Sequence, residues 1–130
     1  METPGGEDAT PSRRFTVLFV EDDRDVRESV VEILRLHGFV VLVAEDGYEA
    51  IRLLMEFPVD LMFTDVVMPG LSGFELAEQA KQIRPDLRIL YITGYAERPQ
   101  DRRRLRYGKV LQKPVRAVEL TQEVRTALAS

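Results

Sequence analysis

Apolar positions along this chain follow two alternating rhythms. Short runs rich in β-branched and aromatic residues occur at 15–20, 40–44, 61–64, 88–93 and 110–111, and each reads as a buried strand. The stretches between them carry the spacing of a helix with one apolar face. Residues 24–37 place Val26, Val30, Ile33 and Leu34 on one side, and Gly38 suits the stop. Asp46-Gly-Tyr-Glu49 has the form of a capping box opening a helix to about Glu56, before Pro58. Ser72-Gly-Phe-Glu75 is a second such box, for a helix that fades before Pro85. Residues 97–107 form a weaker, arginine-heavy fourth helical segment. Residues 115–128 form the closing fifth, with Val118, Leu120, Val124 and Leu128 expected inward. Residues 1–14 have no apolar period and read as a disordered tail ahead of one domain, 15–130.

Five βα units in succession imply an α/β fold, a parallel sheet with helices on both faces. Right-handed crossovers and short loops make it doubly wound. The expected architecture is a flavodoxin-like (βα)5 fold of strand order 2-1-3-4-5, the order being adopted from known folds of that kind. Such sheets bind ligands beyond the carboxyl ends of their strands. Function is therefore sought in the residues that follow each strand.

Composition narrows the classes. With 130 residues, 45% hydrophobic and 31% charged, the chain suits one globular domain with its own core. Without cysteine, disulfides and thiolate metal sites are excluded. The single histidine, His37, gives little support to histidine-zinc or Ser-His-Asp chemistry, and its place near a helix end reads as structural. The apolar run from Phe39 to Ala44 is too short to span a bilayer, and the first residues lack the apolar core of a secretory signal. A cytoplasmic protein without membrane partners is the default expectation. The net charge of −4 offers no general case for nucleic-acid binding. Arg98, Arg102, Arg103, Arg104, Arg106 and Lys109 cluster against Asp101, but no reading helix accompanies them. A solvated helix or a docking face for an acidic partner is the preferred reading over a nucleic-acid patch.

The strand ends carry the chemistry. Glu21, Asp22 and Asp23 follow the first strand, Asp65 the third, Thr93 closes the fourth, and Lys113 follows the fifth. Clustered carboxylates repel one another, and a hard divalent cation relieves that repulsion. Mg²⁺ takes one or two carboxylates together with waters and phosphate oxygens. An aspartate can act as a nucleophile toward a phosphoryl group, giving an acyl phosphate. A lysine ammonium and a threonine hydroxyl suit the oxygens of the group transferred.

Val-Glu-Asp-Asp (20–23), Thr-Asp-Val-Val-Met-Pro-Gly (64–70) with Ser-Gly (72–73), Ile-Thr-Gly-Tyr (92–95) and Gln-Lys-Pro (112–114) together resemble the motifs of response-regulator receiver domains of two-component signalling. The resemblance covers about residues 15–128. It implies that Asp65 is the phosphorylated aspartate. It implies a Mg²⁺ site of Asp22 and Asp65, with Glu21 acting through a metal-bound water and the Val67 backbone carbonyl completing it. Thr93 matches the switch hydroxyl. Lys113 matches the phosphoryl-contacting lysine, commonly joined to its proline, here Pro114, by a cis bond. Asp23 competes with Asp22 for the metal role, but its position also suits a helix N-cap.

The implied partners are a histidine kinase or histidine phosphotransfer protein, and a downstream protein on the fourth-helix/fifth-strand/fifth-helix face. The implied protein is a switch that catalyses only its own phosphorylation and dephosphorylation. The Thr-Gly-Tyr run (93–95) is similar to that of stand-alone FAT GUY receivers and of receivers in hybrid kinases. Val110 stands where receivers often carry an aromatic, with Tyr95 and Tyr107 as substitutes. Val67 and Tyr95 cannot orient an attacking water, so slow self-dephosphorylation is expected. An alternative reading is a Mg²⁺-dependent aspartyl-nucleophile phosphohydrolase. Haloacid-dehalogenase-like enzymes need a second aspartate two residues after the nucleophile, where this chain has Val67. A constitutive, degenerate receiver is opposed by the intact acidic pair, Asp65, Thr93 and Lys113.

Overall fold

In the computed structural model, which describes residues 14–94 and 107–129, the apolar runs become five parallel strands. These are β1 (Thr16–Val20), β2 (Val40–Ala44), β3 (Leu61–Asp65), β4 (Arg88–Thr93) and β5 (Val110–Gln112). The helices are α1 (Arg24–Leu36), α2 (Gly47–Glu56), α3 (Gly73–Ile83) and α4 (Ala117–Ala129), the last being the closing helix of the sequence pattern. The strand order is β2-β1-β3-β4-β5, as expected for the flavodoxin-like arrangement. The registers Thr16↔Val40, Val17↔Leu61, Leu61↔Arg88 and Tyr91↔Val110 align the strands so that their carboxyl ends share one edge.

Strand alternation divides the core into two layers. Val17, Phe19, Leu61 and Phe63 face the side of α1 and α4, where Leu34, Leu120 and Val124 cover them. Leu18, Val20, Met62 and Tyr91 face the side of α2 and α3, under Leu54, Leu76 and Ala80. Phe19 and Phe63 lie opposite each other on adjacent strands and stack at 5.1 Å between ring centroids. With both faces covered, the strands tolerate uninterrupted apolar sequence.

The helix ends follow local chemistry. The Asp23 carboxylate accepts from the Asp25 and Val26 N–H groups and caps α1. The α1 helix ends at His37, whose Nδ1 lies 2.9 Å from the Ile33 carbonyl, and Gly38 turns the chain at φ 89°. The box at Ser72 is complete, each partner bonding the other's backbone N–H. The box expected at Asp46 is only half formed. Asp46 accepts from the Glu49 N–H, but the Glu49 carboxylate reaches one residue further back, to Glu45 N–H at 2.8 Å.

Val118 is a second correction. It is 77% exposed, and the buried positions of α4 are Leu120, Thr121 and Val124, with Leu128 partly covered. Residues 118 and 120 lie about 200° apart around a helix and cannot both point inward. Thr121 enters the core because its hydroxyl donates back to the Ala117 carbonyl at 2.7 Å. Residues 1–13 of the 1–14 tail and the fourth helical segment, apart from Tyr107, lie outside the described residues, as does Tyr95. Tyr107 itself is in a turn. Among the described residues no helix is long and apolar enough to cross a membrane.

Candidate functional site: an acidic crevice at the strand ends

The end of β1 delivers Glu21 and Asp22 to the carboxyl edge of the sheet, the end of β3 delivers Asp65, and the residue after β5 is Lys113. The edge lies where chain connections leave β1 and β3 toward opposite faces, which opens a crevice between them. One carboxylate oxygen from each of Glu21, Asp22 and Asp65 lies within 4.8 Å of the others. The Lys113 ammonium sits 2.9 Å from Asp65 Oδ2 and 3.0 Å from Glu21 Oε1. The Lys113–Pro114 peptide is cis.

Burial is uneven across the cluster. Glu21 is fully buried and Asp65 nearly so, while Asp22 is exposed. Glu21 Oε2 accepts from the Asp23 N–H at 3.1 Å. Among the described residues, Glu21 Oε1 has no partner other than the Lys113 ammonium at 3.0 Å. Burial is the main reason the Glu21 carboxyl is pushed up to about 7, and the Asp65 charge adds to it. The Asp23 N–H and the Lys113 ammonium oppose this only in part. Burial also works against the Lys113 ammonium, but its close contacts with Asp65 and Glu21 outweigh it and hold Lys113 above the ordinary lysine value.

Asp65 is held at both oxygens: Oδ1 accepts from the Val67 N–H at 3.1 Å, and Oδ2 accepts from Lys113. Its backbone is fixed as well. The Thr64 hydroxyl donates to the Asp65 carbonyl, the Val66 N–H donates to the Ile92 carbonyl, and the Gly73 N–H donates to the Val66 carbonyl. Gly73 has no room for a side chain, since a Cβ there would collide with the Asp65 carbonyl oxygen. Thr93 is buried at the end of β4, one residue past the Asp65↔Ile92 pair, and its carbonyl accepts from the Lys113 N–H. Val67 is about half exposed at the mouth of the crevice.

The structure thus brings Glu21, Asp22, Asp65 and Lys113 together, with Val67 and Thr93 on the adjoining backbone. Asp23 lies outside the cluster, occupied as the α1 cap. Of the aromatic substitutes, Tyr107 donates its hydroxyl to Glu78 of α3 at 3.1 Å and lies under the Lys81 ammonium. Val110 is partly buried against the α2/α3-side core. Sequence reasoning missed Arg27, which bonds the backbone of the acidic turn, and the steric role of Gly73. The only sequence signal for Arg27 is a cation in the first turn of a helix, where the dipole disfavours it.

The donor set is chemically apt for a hard divalent cation: three carboxylates, one exposed, and a buried Glu21 oxygen that meets only the Lys113 ammonium among the described residues. The fold and this edge define a receiver domain. A family model, the response regulator receiver domain, matches residues 17–125, and the chain belongs to that family. It is 40% identical over 120 residues to the response regulator receiver protein CpdR of Brucella abortus, covering 86% of this chain and 95% of that one. Among solved structures it resembles the receiver domain of the hybrid histidine kinase CckA. The TM-score there is 0.75 at 32% identity, covering 87% of this chain and 98% of the other. It also resembles the response regulator TrrA of Thermotoga maritima, solved in complex with Mg²⁺-BeF. That TM-score is 0.80 at 28% identity, covering 87% and 98%. The chain is therefore a receiver domain of two-component signalling.

Proposed function

We propose that this receiver is a Mg²⁺-dependent switch that takes a phosphoryl group onto Asp65 from a phosphohistidine of a kinase or phosphotransfer protein. The single observation that carries this reading is the convergence of Asp65, Lys113 and the Glu21–Asp22 pair at one sheet edge. The complex of TrrA with Mg²⁺-BeF is consistent with it.

Asp22, Asp65 and the Val67 carbonyl would hold the cation, with Glu21 reaching it through a water. When bound, Mg²⁺ supplies positive charge to the oxygens of the phosphoryl group in transfer. A carboxylate oxygen of Asp65 attacks phosphorus in line with the donor nitrogen. The new O–P bond forms as the P–N bond breaks, and the electron pair returns to the imidazole, which leaves neutral after taking up a proton. Lys113, already beside Asp65, passes its ammonium contact to a phosphoryl oxygen. Thr93 supplies a hydroxyl donor to another. Reversal toward rest needs water at phosphorus, releasing inorganic phosphate and the Asp65 carboxylate.

In this reading the chain turns over no external substrate. It works in the cytoplasm, and its output passes to a protein partner on the face carrying β5 and α4. The Lys109–Glu123 ion pair at 2.7 Å joins the approach to β5 to α4 on that face. The test is incubation with acetyl phosphate with and without Mg²⁺, read by intact mass. One added phosphoryl group that requires Mg²⁺ and is absent from Asp65→Asn is expected. Steady turnover of phosphate monoesters would instead favour a phosphohydrolase.

A further inference from the structure

Arg27 stands on α1 four residues into the helix, where a permanent cation opposes the dipole. Its side chain is only 16% exposed. A guanidinium in such a place needs acceptors, and it has one good one: Nη1 donates to the backbone carbonyl of Glu21 at 2.9 Å. The second contact, 3.9 Å to the exposed carboxylate of Glu45, is long and solvated and contributes little. The bond to Glu21 matters because it holds that residue's carbonyl, which the other ties leave alone. Its N–H donates to the Ala44 carbonyl on the neighbouring strand, one side-chain oxygen accepts from the Asp23 N–H, and the other pairs with Lys113 at 3.0 Å. Directly after it the chain leaves the sheet, and Asp22, the exposed member of the cluster, follows with no side-chain hydrogen bond among the described residues. The peptide that Arg27 grips joins Glu21 to Asp22, so holding it steadies the backbone from which both side chains leave.

We infer that Arg27 is a positioning residue for the acidic site: by holding the Glu21 carbonyl it orients Glu21 and Asp22 toward Asp65 and so sets the affinity for a divalent cation. The inference rests on the cation-site reading of Glu21, Asp22 and Asp65. It makes a prediction opposite in sign to simple electrostatics. The Arg27 charge by itself repels a cation, so a purely electrostatic role would make its removal strengthen binding. A positioning role makes removal weaken binding, because outer contacts that orient ligands affect metal affinity on the order of 10–100-fold.

The test compares wild type with Arg27→Lys, which keeps a charge and a donor, and Arg27→Met, which keeps neither. Mg²⁺ affinity is measured by titration calorimetry, and the Mg²⁺ dependence of phosphorylation by acetyl phosphate is followed in parallel. Amide exchange at Asp22 and Asp23 is measured without metal. Expected for Arg27→Met are a dissociation constant about tenfold higher, a saturated phosphorylation rate within about twofold of wild type, and faster exchange at both amides. Arg27→Lys should stay close to wild type. Tighter Mg²⁺ binding in Arg27→Met, or a lowered melting temperature with unchanged affinity and exchange, would overturn the inference. If wild type itself binds no Mg²⁺, the cation-site reading fails. The metal-free exchange arm then still decides whether Arg27 holds the turn.

Discussion

Replacing Glu21 by glutamine should make the metal-free protein more stable at pH 8 while barely changing it near pH 5. Glu21 is fully buried, so little solvent screening reduces the effect. Its carboxyl is raised from 4.5 to about 7, chiefly by burial. Between those values the folded chain holds a proton that the unfolded chain has released. Stability therefore falls as pH rises through this window and levels off above it. The full penalty for the ionised form is about 3 kcal/mol, a large part of the stability of a domain this size. The amide of Glu21→Gln carries no charge at any pH, so the stability of that variant should lack this slope. The assay is urea unfolding followed by circular dichroism at pH 5, 6, 7 and 8 in the presence of a chelator. Adding Mg²⁺ at pH 8 should stabilise wild type more than Glu21→Gln, because the cation binds the ionised cluster of the folded state. Parallel pH profiles for the two proteins would refute the reasoning, since the strain would then not reside in the Glu21 charge.

Lys113→Met removes the cation that lies between Glu21 and Asp65. It should lower metal-free stability at pH 8 by about 2 kcal/mol yet tighten Mg²⁺ binding, both measurable by unfolding and calorimetry. Because Lys113 is raised above its ordinary value, its contribution is fully present across neutral pH and is lost only as pH rises through that elevated value. Gly73→Ala places a Cβ against the Asp65 carbonyl. It should cost about 2 kcal/mol of stability and slow phosphorylation by acetyl phosphate, measured by unfolding and by the rate of mass gain. Val67→Asn puts an amide at the half-exposed mouth of the crevice. It should shorten the lifetime of the phosphorylated form by about tenfold or more, as followed by loss of the phosphoryl mass after donor removal.

Much of the fold was legible because its strands are short, β-branched and buried on both faces, a pattern that few other elements share. The β1 and β3 runs ended in Glu21 and Asp65, and the doubly wound topology then placed those ends side by side. Legibility failed where tertiary contact decided the outcome. The Asp46 box reads in sequence as reciprocal, yet Glu49 finds the Glu45 N–H within reach instead. Val118 is apolar and still exposed, while Thr121 is polar and buried, because a bond to its own helix removes the cost of burying its hydroxyl. Sequence placed Glu21 and Asp22 as neighbours in a motif but could not reveal that one is fully buried and the other exposed. That difference sets which carboxyl is strained. Arg27 left only the faint signal of a cation in a helix's first turn, because its acceptor is a backbone carbonyl, which carries no trace in side-chain identity.

Whether Asp65 is the acceptor is decided by treating the protein with acetyl phosphate and Mg²⁺, reducing the product with borohydride, and locating the change by peptide mass spectrometry. An aspartyl phosphate is reduced to homoserine, so homoserine is expected at position 65 alone. Homoserine at Asp22 or another carboxylate, or none at any position under conditions that add a phosphoryl group, would contradict it.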